Sequence, residues 1–108
     1  MYRDFLAGAV LLIVGSVAAQ AQESADPQAG HAVARRICAE CHAVEKEPSA
    51  SPHMGAPTFS AIAAVPGMTT AALLAAIQTS HRERTMPNLI LPPDDLRNVV
   101  AYIISLQQ

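Results

Sequence analysis

The chain has 108 residues, a formal net charge of −2 at pH 7, no tryptophan, two tyrosines and two phenylalanines. This length holds one small domain and excludes a second, and the absence of a basic cluster argues against nucleic acid as a partner. So few large side chains make a thin core, and small domains of this kind often depend on a bound group that completes it.

The first 21 residues are typical of a signal peptide. They carry Arg3 near the start, run apolar from Phe5 onward, and end in Ala19-Gln20-Ala21, a small-x-small cleavage pattern. The apolar run is shorter than the roughly 20 residues that span a bilayer. We therefore predict cleavage before Gln22, export to the periplasm, and no stable membrane insertion once the leader is removed.

The mature domain, residues 22–108, begins with a predicted helix. Asp26 is placed to cap it, a proline follows at the first helical position, and apolar residues recur at helical spacing to residue 38. Gly30 within this helix allows another helix to approach closely. Residues 45–57 contain three prolines and one glycine among serine and alanine, and this composition predicts a loop.

The second half predicts three more helices and no strand. A short helix is expected over residues 59–64, and Thr69 or Thr70 can cap the next one, over residues 71–78. An irregular stretch, residues 80–93, leads into a final helix. That helix has acidic residues at its start and the apolar stripe Leu96, Val99, Val100, Ile103 and Leu106. The chain is therefore expected to be all-α.

One motif carries chemistry: Cys38-Ala39-Glu40-Cys41-His42 is the C-x-x-C-H signature of covalent haem c attachment. Its two thiols can each bind one vinyl group on the same edge of the porphyrin, and the adjacent imidazole then lies beneath the iron. A redox-active dithiol would require a thioredoxin-like βαβ context, and a zinc site would require four ligands. A disulfide across two intervening residues is the third alternative, and it would not explain His42.

A six-coordinate haem also needs a ligand on its other face. The candidates in the chain are Met54, Met68, Met86, His31, His53 and His81. We favour Met86, because it lies in an irregular segment far from His42 and is followed by a proline that fixes the backbone. For the others we expect packing at a helix entrance for Met68, a near-loop position for Met54, and surface positions for the three histidines.

Together these residues resemble the class I cytochromes c. The resemblance rests on a glycine eight residues before Cys38, the C-x-x-C-H motif near the mature N-terminus, a Met-Pro loop, and a Val-Val-Ala-Tyr-Ile final helix. It covers nearly the whole mature chain. It implies the all-α cytochrome c fold, with the first and last helices crossing near Gly30 and Tyr102.

The resemblance also implies a site. One haem c would be covalently attached through Cys38 and Cys41, and His42 and Met86 would ligate its iron. In such proteins a loop proline carbonyl accepts the N–H of the ligand histidine's other ring nitrogen, and Pro57 falls in that loop. This chain departs from the family in having alanine beside that proline where glycine is usual.

The function expected from these residues is single-electron transfer, with no enzymatic activity of its own. Redox protein partners would dock weakly at an exposed haem edge, as small electron-transfer interfaces do. Two alternatives remain open at this point. The protein could be the cytochrome subunit of a periplasmic dehydrogenase, or a haem-based sensor in which a small ligand displaces the methionine.

Overall fold

The chain folds into four α-helices joined by loops, in a computed structural model that describes residues 24–83 and 89–107. The elements are α1 (Pro27–Ile37), a 3₁₀ turn (Cys38–Glu40), α2 (Phe59–Ala63), α3 (Thr70–Glu83) and α4 (Pro93–Ser105). No β-strand occurs in these residues, which confirms the expected all-α class. The predicted signal peptide, residues 1–21, lies outside them. None of the helices within them is both long and apolar enough to cross a lipid bilayer.

Asp26 caps the start of α1 with its side chain and connects this helix to α4 with its backbone. The Asp26 side chain accepts hydrogen bonds from the backbone N–H groups of Gln28 (2.9 Å) and Ala29 (3.3 Å), and Pro27 occupies the first turn. This is the predicted cap, which satisfies donors that have no partner inside the helix. The Asp26 backbone N–H in turn donates to Asn98 Oδ1 at 2.9 Å, so the cap also ties α1 to α4.

Helices α1 and α4 cross in close contact at Gly30. A Cβ atom added to this glycine would lie 1.8 Å from the Asn98 carbonyl oxygen and 2.8 Å from the Val99 nitrogen. Glycine is therefore required by the approach of the two backbones. Around the crossing lies the core of the described residues: Val33, Ala34, Val44, Phe59, Ala63, Leu73, Val99, Val100, Tyr102 and Ile103.

The two middle helices begin at threonine caps. Thr58 Oγ1 accepts from the Ala61 N–H at 3.0 Å at the start of α2, and Thr69 Oγ1 accepts from the Ala72 N–H at 3.1 Å at the start of α3. Between them the chain turns through Gly67, whose φ of 76° lies in the region that favours glycine. Of the two threonines considered for the α3 cap, Thr69 has this role.

Several helix ends differ from the sequence prediction. Helix α3 continues past Gln78 to Glu83, into a stretch expected to be irregular, because residues 79–83 contain no glycine or proline to stop it. Helix α1 ends at Ile37, and the chain tightens into the 3₁₀ turn at Cys38. Helix α4 begins at Pro93, since proline is well suited to a first helical turn.

Tyr102 fastens α4 to the loop after the C-x-x-C-H motif. Its buried hydroxyl donates to the Val44 carbonyl oxygen at 2.6 Å. Its pKa is raised, first by burial and then by the negative charges of Glu45 and Glu47. The neutral, hydrogen-bonded hydroxyl is therefore the form that the fold favours.

Replacing Tyr102 by phenylalanine should lower the free energy of unfolding by about 1–3 kcal/mol, because the buried Val44 carbonyl loses this donor. The raised pKa adds a pH dependence. The wild-type stability contribution is fully present below the unfolded-state pKa of about 10 and is lost as the pH rises through the higher folded-state value. Urea unfolding should therefore show that the free energy of unfolding falls less from neutral to alkaline pH in the variant than in the wild-type protein. An equal fall in both proteins would contradict this role.

Candidate functional site

Cys38, Cys41 and His42 lie on one turn of backbone at the end of α1. The Cys41 and His42 N–H groups both donate to the Cys38 carbonyl oxygen, at 3.1 and 2.9 Å. Both cysteines are half-buried and are not joined in a disulfide. The turn thus presents two thiols and an imidazole from one short stretch of chain.

Cys38 has an apolar environment. It packs against the hydrophobic core, and burial raises the pKa of its thiol to about 11. Reactive dithiols have lowered thiol pKa values, so the direction of this shift argues against a redox-active dithiol. The described part of the chain contains no group of three or more His, Cys, Asp or Glu side chains that could hold a metal ion. A zinc site is not formed by these residues.

The His42 ring has a fixed orientation and a fixed tautomer. Its Nδ1 lies 2.6 Å from the Pro57 carbonyl oxygen. Because a carbonyl oxygen only accepts, Nδ1 carries the proton, and the lone pair of the neutral ring is on Nε2. The buried Phe59 ring packs against the imidazole, with centroids 5.4 Å apart and planes tilted by 49°. The contact that the resemblance implied for Pro57 is thus present.

The loop between His42 and Pro57 is shaped by hydrogen bonds within itself. The Ala43 N–H donates to Ser51 Oγ at 3.0 Å, and the His53 N–H donates to the Cys41 carbonyl at 3.1 Å. The Ala43 carbonyl accepts from the Phe59 N–H at 2.9 Å, where α2 begins. These bonds fold the loop back, so that Pro57 returns to the histidine 15 residues earlier.

The candidates for the second ligand differ in their exposure and in their place in the fold. Met54 is fully exposed and His53 is exposed, whereas Met68 is half-buried and packs against the core. His81 belongs to the extended α3 rather than to an irregular segment. Met86, the favoured candidate, lies outside the described residues, so its assignment stays a prediction.

His31, expected on the helix surface, lies on α1 with its side chain partly exposed, and its contacts were not predicted from the sequence. Its ring is half-buried and stacks on Tyr102, with centroids 4.5 Å apart and planes within 11° of parallel. Its Nε2 also lies 2.9 Å from Glu45 Oε2. The sequence held a weak signal, since His31 and Arg35 are four residues apart on one helix face. Their acidic partner lies beyond the helix, where periodicity gives no information.

The residues fit a covalently attached haem by the chemistry of their donors. Two unpaired thiols stand beside an imidazole whose lone pair is on Nε2, the nitrogen suited to a metal when Nδ1 donates to a carbonyl. Apolar side chains next to the core remain only half-buried, among them Met68, Leu74 and Leu91. A flat apolar group would remove more of this surface from water.

Comparison with known proteins identifies a family. A family model described as "Cytochrome C oxidase, cbb3-type, subunit III", a c-type cytochrome domain, matches residues 25–103. That range includes α1, the C-x-x-C-H turn, the Pro57 loop and most of α4. No curated protein matches the chain, and no solved structure does.

Proposed function

Because this chain belongs to the family of c-type cytochrome domains represented by subunit III of cbb3-type cytochrome c oxidase, we propose that it is an exported single-electron carrier. Its family indicates haem-based electron transfer rather than catalysis. The proposal adds one covalent haem, ligation by His42 and Met86, and a periplasmic location. The observation that carries it is the contact between His42 Nδ1 and the Pro57 carbonyl oxygen. His42 lies on the same backbone turn as both cysteines.

Each residue of the site has a distinct task in this proposal. The thiols of Cys38 and Cys41 would hold the haem permanently through thioether bonds to its two vinyl groups. Pro57 keeps the proton of His42 on Nδ1, which would leave Nε2 to ligate the iron. The buried Phe59 packs against the imidazole and limits its rotation. The haem supplies one-electron chemistry, and ligation by histidine and methionine raises its reduction potential.

Absorption spectra of the exported protein in both redox states test the proposal. We expect a low-spin haem c spectrum that converts reversibly between the oxidised and reduced forms. Carbon monoxide should leave the reduced spectrum unchanged at neutral pH, because both axial positions are filled. A carbon monoxide shift would contradict saturated ligation and favour the sensor alternative.

Replacing Met86 by alanine should convert the haem to a high-spin or carbon monoxide-binding form and lower its reduction potential, since the thioether ligand is lost. Two matched controls are available in the same chain. Met54→Ala removes an exposed side chain and should change nothing, whereas Met68→Ala removes core packing and should lower only the stability. If the Met86 variant kept the wild-type spectrum and potential, the second ligand would lie elsewhere.

Export is tested by the start of the mature chain. N-terminal sequencing of the protein from a periplasmic fraction should begin at Gln22, the residue after the predicted cleavage site. A mature protein that retains Met1 and fractionates with the membrane would contradict the cleaved leader.

A bound subunit is the second candidate function, and the family description favours it because it concerns a subunit of an enzyme complex. In that role the cytochrome domain would do the same one-electron chemistry for one fixed partner, such as a periplasmic dehydrogenase. Gel filtration of a native periplasmic extract separates the two roles. A free carrier elutes at the mass of the single chain, whereas a subunit elutes with its enzyme.

A further inference from the structure

Three side chains meet beside the segment that follows His42, and we name them the Glu45 clamp: His31, Arg35 and Glu45. His31 Nε2 donates to one carboxylate oxygen of Glu45 at 2.9 Å, and Arg35 Nε lies 3.4 Å from the other. His31 and Arg35 both belong to α1. The clamp therefore uses both oxygens of one carboxylate to hold the loop to the first helix.

The adjacent residue is held by the last helix. The Tyr102 hydroxyl donates to the Val44 carbonyl at 2.6 Å, and the same tyrosine ring supports the stacked His31 ring. Two consecutive residues, Val44 and Glu45, are thus attached to α4 and α1 respectively. The stacked pair joins the two attachments into one unit.

Only Ala43 separates this unit from His42. Its N–H donates to Ser51 Oγ, and its carbonyl accepts from the Phe59 N–H. On the other side of the histidine, the His42 N–H donates to the Cys38 carbonyl. The backbone at His42 is therefore held from both directions, although it lies outside any α-helix.

We propose that the Glu45 clamp positions His42, keeping its Nδ1 within hydrogen-bonding distance of the Pro57 carbonyl. The clamp fixes residues 44 and 45, these fix the path of the chain through residue 43, and that path sets the direction of the His42 side chain. This inference rests on the proposed function, in which His42 ligates the haem iron. His31, Arg35 and Glu45 are positioning residues, which act on His42 through the path of the backbone.

Substitutions at His31 separate its two contacts. His31→Phe keeps an aromatic ring to stack on Tyr102 and loses the donor to Glu45, whereas His31→Gln keeps an amide donor. Glu45→Ala removes the acceptor. In the complete exported protein, the rate of hydrogen exchange at His42 Nδ1–H should rise about threefold to tenfold in the phenylalanine and alanine variants. The reduction potential should move in the same direction in both, and His31→Gln should remain close to wild type.

Arg97→Gln is the matched control, because it breaks an exposed ion pair with Asp94 on α4 that has no link to His42. It should leave both the exchange rate and the potential unchanged. If His31→Phe and Glu45→Ala lowered only the melting temperature, with exchange and potential at wild-type values, the clamp would stabilise the fold without positioning the ring. An Arg97→Gln effect of equal size would also overturn the proposal.

The proposed function can fail separately from the clamp. A His42→Ala variant that kept the wild-type spectrum would deny ligation by His42. In that case the clamp is judged by the backbone beside the histidine. Faster exchange of the Ala43 N–H, which donates to Ser51 Oγ, in His31→Phe and Glu45→Ala would still show that the clamp holds this stretch of chain, and unchanged exchange there would overturn it.

Discussion

Replacing Gly30 by alanine should lower the free energy of unfolding of the complete protein by about 3 kcal/mol or more. The added Cβ would lie 1.8 Å from the Asn98 carbonyl oxygen, and real Cβ atoms essentially never come within 3.0 Å of such an atom. Both partners in this clash are backbone, so no side chain can rotate away. Helices α1 and α4 must separate, which loosens the packing of Ala34 and Val100, both fully buried.

Helix propensity alone predicts the opposite sign for this substitution. Alanine is favoured over glycine in a helix interior by about 1 kcal/mol, so an uncrowded site would be stabilised. Ala32→Gly is the matched control, since Ala32 is exposed on the same helix and should cost only that propensity difference. Thermal and urea unfolding of both variants provide the comparison. A Gly30→Ala protein as stable as wild type would show that the helices do not approach as closely as described.

Replacing His42 by alanine should abolish the low-spin absorption spectrum expected of the proposed haem, because the proposed imidazole ligand and its hydrogen bond to Pro57 are removed together. The haem should remain attached through the cysteines, but it should become high-spin and bind carbon monoxide. The reduction potential should differ from that of the wild-type protein.

His53→Ala is the control for this experiment, since His53 is an exposed histidine in the loop that contains Pro57. Among the residues that the structure describes, its side chain accepts a local hydrogen bond from the Gly55 N–H at 3.1 Å. We expect its spectrum and potential to match those of wild type. If the two variants behaved alike, the histidine of the motif would have no special role.

Local chemistry made several elements predictable from the sequence. Asp26 followed by a proline marks the start of α1. An aspartate side chain caps the free N–H groups of the first turn, and proline has no backbone N–H that would need a partner there. Thr69 at the start of α3 follows the same logic. The C-x-x-C-H motif could be interpreted because its chemistry is contained in five consecutive residues.

Interactions between distant residues were harder to predict. The contact between His42 and Pro57 came only from the family resemblance, since nothing in the loop composition selects one proline among several. The contacts of His31 were not predicted because its partners, Glu45 and Tyr102, are 14 and 71 residues away in the chain. The end of α3 was misplaced because a polar stretch without glycine or proline permits either helix or loop.

Covalent attachment of one haem through Cys38 and Cys41 is tested by the mass of the polypeptide. The protein purified from a periplasmic fraction is denatured, washed with acidified acetone to extract any loosely bound haem, and weighed by mass spectrometry. We predict the mass of the chain from Gln22 plus one haem, and a pyridine haemochrome spectrum typical of two saturated vinyl groups. A polypeptide of unmodified mass, with all of the haem in the acetone, would contradict the account.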